Sequence, residues 1–153
     1  MSIVFEAPNP ELPPGPSVFL AGGITGCRDW QRDAISGLEE VDVTIFNPRR
    51  TSWPSDPREV HRQIKWERER LNCATLISFW FSPETICPIT LLELGYSLGR
   101  SAKIVVGCAP NYSRRQDVES QLHLTFPEAT VEDSVEQVCE KNKLFFAAEV
   151  HND

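Results

Sequence analysis

The sequence predicts a single α/β domain built on a parallel sheet. Three observations predict it. Strand-like and helix-like segments alternate along the whole chain, which is the pattern of strand–helix–strand crossovers. The run Ala74 to Trp80 is apolar apart from Thr75 and Ser78, enough for a strand buried on both faces. With 153 residues, the chain makes one domain with room for a sizeable core.

The elements follow in order. Residues 1–16 hold five of the 12 prolines and no helical period. They read as an extended N-terminal arm, loosely ordered or laid along a neighbouring subunit, ahead of one domain over 17–153. Ser17 to Ala21 is a short apolar strand that ends in Gly22-Gly23. Asp29 starts a helix whose apolar positions Trp30, Ala34 and Leu38 lie four apart, with Ile35 beside them. Val41 to Phe46 alternates around Asp42 and Thr44 as a second strand and stops at Asn47-Pro48. After a loop from Thr51, Asp56-Pro57-Arg58-Glu59 has the form of a capping box with proline at the first helical position. The helix behind it carries Val60, Ile64, Glu67 and Leu71 on one stripe, expected to face the sheet.

Ala74 to Trp80 is the third strand and Ile89 to Leu98 the next helix. Ala102 to Cys108 is the fourth strand. Ser113 to Gln116 opens a helix to about His123, and Ala129 to Val131 is a short fifth strand. Asp133-Ser134-Val135-Glu136 caps a last helix to about Phe146. Five strands and five helices fit a flavodoxin-like, doubly wound architecture with strand order 2-1-3-4-5 and helices on both faces. Its cleft lies above strands 1 and 3, at the carboxyl ends of the strands.

Composition narrows the function. The chain is 41% hydrophobic and 24% charged, with a net charge of −7. That charge argues against a general binder of nucleic acid polymers or anionic membranes. No run reaches the length of a membrane span, and the N-terminus has no basic segment followed by an apolar stretch, so no secretory signal is read. The five cysteines, Cys27, Cys73, Cys87, Cys108 and Cys139, are widely spaced without a CxxC. They read as reduced thiols of a cytoplasmic protein. His61, His123 and His151 stand alone, so no metal site is expected.

Three pieces converge on the expected cleft. The loop Ala21-Gly22-Gly23-Ile24-Thr25-Gly26 frees backbone N–H groups for a ligand, or is simply a tight turn. It has neither the G-x-G-x-x-G spacing nor a Gly-Lys-Ser/Thr, nor the Ser/Thr-rich cradle of a flavin mononucleotide site. Asn47-Pro48-Arg49-Arg50 leaves the second strand. Asn47 and Arg49 are expected to face the cleft and meet a phosphate or carboxylate, while Arg50 reads as solvated. The third piece is the pair Glu67 and Glu93. Glu93, among leucines in Cys87-Pro88-Ile89-Thr90-Leu91-Leu92-Glu93-Leu94-Gly95, is a desolvated salt-bridge partner or a chemical group. Glu67 is either an ion-pair partner of Arg70 or Arg100, or the second member of an acid–base pair. Trp30 and Trp66 stack on a flat ring or pack in the core. Thr90 is read as capping the helix that carries Glu93.

Taken as an ordered set, LAGGITG with Asp29-Trp30-Gln31, IFNPRR, IKWE and SFWF-SP-CPITLLELG resemble the nucleoside 2-deoxyribosyltransferase-like superfamily. The match runs from about Val18 to Val106. The resemblance implies cleavage or transfer of the N-glycosidic bond of a nucleoside or nucleoside monophosphate, with no cofactor. It implies Glu93 as the nucleophile of a retaining mechanism through a glycosyl-enzyme ester, and Glu67 as the acidic residue that contacts and protonates the base. Gly22, Gly23 and Ile24 would hold the sugar or phosphate. Trp30, Asn47, Arg49, Trp66 and Thr90 complete the expected substrate contacts. Many members carry an aspartate six positions before the nucleophile, where this chain has Cys87. A nucleotide N-hydrolase and a catalytically silent nucleotide-binding module are the alternatives. A cleft open on one side in a lone domain suggests a homodimer or higher homo-oligomer, because a glycosyl intermediate needs water excluded.

Overall fold

The computed structural model describes residues 1–151. It contains six parallel strands and five helices. The strands are β1 (Ile3–Glu6), β2 (Ser17–Gly22), β3 (Thr44–Asn47), β4 (Leu76–Phe81), β5 (Ile104–Cys108) and β6 (Val131–Glu132). The helices are α1 (Trp30–Gly37), α2 (Arg58–Cys73), α3 (Pro88–Gly99), α4 (Arg115–Thr125) and α5 (Val135–Val150). The sheet order is β1-β3-β2-β4-β5-β6. β2 through β6 therefore stand in the expected doubly wound order. β4 is buried along its whole length, as its apolar run requires. α1 packs on α5, and α3 packs against α4.

The sixth strand is a correction. The first 16 residues are not a detached arm, for Ile3–Glu6 pairs in parallel with β3, Ile3 opposite Thr44 and Glu6 opposite Asn47. A strand of 4 residues at a sheet edge, with Ile3 and Val4 exposed, gives little periodic signal beside so many prolines. The next stretch docks on α2. The carbonyl of Asn9 accepts hydrogen bonds from Trp66 Nε1 at 2.7 Å and Arg70 Nη2 at 2.9 Å.

That docking also explains a correction in α2. The helix buries Gln63, Trp66, Arg70 and Leu71. Val60 and Ile64, expected against the sheet, are exposed. Trp66 packs on Phe19 and Phe46, and the Arg70 guanidinium sits 5.0 Å from the Trp66 ring. Two large amphipathic side chains with backbone acceptors waiting for them outweigh two β-branched ones, so the helix is turned and Val60 and Ile64 lie exposed at the cleft instead of against the sheet.

The caps are mixed. Asp29 accepts from the Arg32 N–H and starts α1 as expected. Ser134 caps α5 through the Gln137 N–H, and the Gln137 side chain accepts from the Asp133 N–H. α3 has no side-chain cap: its N-cap is Cys87, with Pro88 in the first turn. Thr90 lies inside the helix and is buried.

Removing residues 1–10 takes away β1 and leaves Trp66 and Arg70 without the Asn9 acceptor. Stranded buried donors cost about 1–3 kcal/mol each. For two donors in a domain of this size that lowers Tm by about 4–24 °C. Scanning calorimetry of the truncated chain checks this; an unchanged Tm would mean the arm contributes nothing to the fold.

Candidate active site

The segments leaving β2, β3 and β4, with the faces of α2 and α3, enclose one cleft of about 450 Å³. Its position at the carboxyl ends of the central strands is where a doubly wound sheet opens. Gly22, Gly23, Ile24 and Thr25 form one wall, Glu67 and Ile64 another, and Thr90 and Glu93 a third.

The glycine loop is shaped from behind. A Cβ on Gly22 would collide with the Trp30 ring, and one on Gly23 with the Cys27 sulfur, so neither position tolerates a side chain. Arg49 Nη2 donates to the carbonyls of Ile24 at 3.2 Å, Cys27 at 3.1 Å and Arg28 at 3.1 Å, and Arg49 Nε donates to Gln31 Oε1 at 2.9 Å. One guanidinium thus ties up the loop's oxygens.

Six of the expected site residues line the cleft: Glu67, Glu93, Gly22, Gly23, Ile24 and Thr90. Four sit elsewhere and support it. Trp30 is buried under Gly22 and donates to the Gly23 carbonyl. Trp66 is in the core. Asn47 Oδ1 accepts from the Arg49 N–H at 3.0 Å, an Asx turn that ends β3. Arg49 is the loop clamp. Arg50, read as solvated, is buried: it pairs with Glu59 at 2.8 Å and lies 5.4 Å from the Trp53 ring.

Sequence reasoning missed Gln63 and Trp53 as cleft residues. Gln63 sits one turn before Glu67 on the same face, a spacing that does predict contact. Its Nε2 donates to Glu67 Oε1 at 2.9 Å and to the Pro48 carbonyl at 2.8 Å. Trp53 lies in a polar, proline-flanked loop with no periodicity to flag it, yet it lines the cleft and stays exposed.

The two carboxyls dominate the electrostatics. Burial pushes the Glu93 carboxyl up to about 8, and the neighbouring Glu67 charge adds to the rise, with Arg68 opposing it. Glu93 Oε2 is enclosed and has no hydrogen-bond partner among the described residues. Burial also raises Glu67, while the Gln63 hydrogen bond works the other way. Neither makes an ion pair with Arg70 or Arg100. Arg70 bonds Asn9 and Glu11 carbonyls, and Arg100 the Leu71 carbonyl. With its carboxyl raised to about 8, Glu93 favours the protonated form near neutral pH. Cys87 closes the floor in a left-handed conformation, φ 47°, its sulfur against the Ser82 carbonyl and the Thr85 hydroxyl. Burial raises its thiol as well, so it is neutral.

The raised Glu93 fixes a sign for stability. An unfolded glutamate ionises near 4.5 and the folded one near 8. Between those values the folded protein holds a proton that the unfolded chain has lost, so stability falls as pH rises from about 4.5 to about 8. Glu93→Gln removes that dependence. It should raise stability at pH 8–9 by on the order of a few kcal/mol and leave it nearly unchanged near pH 4.5. Urea unfolding across this range checks it; an equal effect at both ends would mean Glu93 is ionised in the fold.

No curated protein matches this chain. The model of the family described as nucleoside 2-deoxyribosyltransferase like matches residues 15–112, well over half of the chain, from just before β2 to just past β5. That span carries every residue of the cleft described above. Among the described residues, no helix is long and apolar enough to cross a membrane. The chain therefore belongs to the nucleoside 2-deoxyribosyltransferase-like family.

Proposed function

We propose that this cleft cleaves or transfers the N-glycosidic bond of a nucleoside or nucleoside monophosphate, with Glu93 as nucleophile and Glu67 as the group that handles the base. The observation that carries the reading is the coupled pair of cleft carboxyls, one of them with a bare, enclosed oxygen. A carboxylate held by an arginine would be a structural ion pair, and Glu93 is not so held.

The chemistry balances on one shared proton. In the empty cleft the proton rests on Glu93 and Glu67 is ionised. With substrate bound, it passes through Glu67 to the base nitrogen as the C–N bond breaks. Glu93, now a carboxylate, forms the ester bond to the anomeric carbon. In the second half, Glu67 takes a proton from an acceptor base or a water. The new bond forms at the anomeric carbon, the ester breaks, and the proton returns to the pair. The nucleophile is thus uncovered only when a leaving group is present to receive its proton. An acceptor base gives transfer, and water gives hydrolysis.

The chain acts as one nucleoside-processing domain of a cytoplasmic homodimer in this reading, with β1 included at the edge of its sheet. The exposed Trp53, Val60, Ile64, Ile86, Ile89 and Leu92 support a second copy over the cleft side. Light scattering at working concentration checks the dimer, and a monomer would count against it.

Incubation with pooled nucleosides and monophosphates, read by mass spectrometry, should give free base, or exchanged base when an acceptor is added. A 2-fluoro nucleoside should leave a glycosyl ester on Glu93. Glu93→Ala should abolish turnover in a folded protein, and Glu67→Gln should lose ~100- to 10,000-fold in kcat with KM little changed. The rate should follow a bell-shaped pH profile whose upper limb lies near 8, where the pair loses its shared proton. Binding without turnover of any of these substrates would leave a silent nucleotide-binding module instead. Full activity in Glu93→Ala would end the mechanism.

A further inference from the structure

The carboxyl pair works only if its two members differ, and the structure contains a device that makes them differ. Gln63 is buried on α2 with all of its amide bonded. Its Oε1 accepts from Arg50 Nε at 3.0 Å. Its Nε2 donates to the Pro48 carbonyl and to Glu67 Oε1. This orientation has no alternative. Arg50 Nε is only a donor, and the Pro48 carbonyl is only an acceptor. A flipped amide would set its NH₂ against a donor and its oxygen against two acceptors. Arg50 cannot swing away either, because it is buried, paired with Glu59 at 2.8 Å and seated beside Trp53.

We propose that Gln63, locked by Arg50, is a positioning residue that aims an amide N–H at Glu67, holds Glu67 ionised, and so places the shared proton on Glu93 until substrate arrives. The proposal rests on Glu67 and Glu93 being the catalytic pair. A donor fixed on one carboxylate favours its charged form. Glu93 Oε2, on the facing helix, has no such donor. The asymmetry is therefore built by α2 and the β3 exit, not by burial alone.

Few other charges compete around this pair. From α3 the only carboxyl facing Glu67 is Glu93 itself, and Cys87 at the helix start is a neutral thiol. On α2, Arg68 acts on Glu93, but its guanidinium is stacked 3.9 Å over the Tyr96 ring. From the β3 exit, Arg50 stands behind Gln63 with its charge matched by Glu59. The glycine loop contributes Gly22 to Thr25, which carry no charge.

The test reads the proton directly. Glutamate carboxyls labelled with carbon-13 are titrated by NMR in the substrate-free protein, for the wild type, Gln63→Met, Arg50→Met and Arg50→Lys. Gln63→Met should raise the Glu67 midpoint by about one pH unit or more. Arg50→Met, which frees the amide to turn, should move it in the same direction, and Arg50→Lys, which still donates to Oε1, should restore most of it. In turnover, the acid limb of the pH profile should shift up with the midpoint while KM stays close to wild type. A Glu67 midpoint unmoved in a folded Gln63→Met overturns the proposal, as does an activity loss by the same factor at every pH. If Gln63→Met does not fold, the Arg50→Met and Arg50→Lys pair decides alone: equal midpoints overturn it. A wild type that turns over nucleosides while the midpoints stay fixed removes this inference and leaves the proposed function. Midpoints that move in a protein without turnover do the reverse.

Discussion

A carboxyl group enclosed at Glu93 must be neutralised, and the way it is neutralised governs the rest of the cleft. Leaving a bare carboxylate there would cost several kcal/mol. A cation beside it would remove that cost but would occupy the oxygen that reacts in the proposed mechanism. The remaining solution is a proton, and a proton needs somewhere to go if the group is to act. In the proposed mechanism Glu67 supplies that place. It is close enough for its charge to raise Glu93, and it is kept more acidic by Gln63. The arginines near the cleft serve the same end by being engaged elsewhere. Arg49 holds loop carbonyls, Arg50 holds Gln63 and Glu59, and Arg70 holds the N-terminal stretch.

The sheet explains how these parts meet. In a parallel doubly wound sheet, successive strands end on the same side, so the segments after β2, β3 and β4 gather at one edge. β2 and β4 are neighbours, with Gly22 opposite Trp80. The loop that carries Gly23 therefore faces the loop that carries Cys87, and the Gly23 α-carbon fits between the sulfurs of Cys27 and Cys87 only because it bears no side chain. The left-handed Cys87 then turns the chain sharply into α3 and sets Glu93 nearly two turns further in. Backbone held in a sparsely populated region near reactive groups is a common accompaniment of function. Here it fixes the entry of the helix on which the proposed nucleophile rides.

Much of this was legible in the sequence because it depends on local pattern. The alternation of elements and the doubly buried β4 follow from periodicity, and Glu93 follows from its place in the helix after that strand, whereas Glu67 reaches the cleft although Val60 and Ile64 of its stripe do not face the sheet. What was not legible depends on contacts between distant segments. The orientation of α2 was read from Val60 and Ile64, but it is set by Trp66 and Arg70 finding the Asn9 carbonyl, 57 and 61 residues away in the chain. β1 was hidden by the prolines that follow it. Arg49 and Arg50 both left their expected surroundings for the same reason, since each is fixed by partners on other segments. Trp30 and Trp66 are aromatic at helical spacing, which marks a buried face as readily as a binding one.

Cys87 is the residue that departs from the family's usual aspartate, and the electrostatics of the cleft give the departure a physical meaning. An aspartate at that position would be a third carboxyl beside a pair that, in the proposed mechanism, shares one proton. It would raise Glu93 further or take the proton itself, and the two roles would no longer be separated by Gln63 alone. A thiol raised by burial remains neutral and adds no charge. Its sulfur is satisfied by the Ser82 carbonyl and the Thr85 hydroxyl, so the left-handed turn is kept without an acid. Glu67 and Glu93 therefore stand as the two carboxyls among the residues that line the cleft, with a neutral thiol where a third would have been.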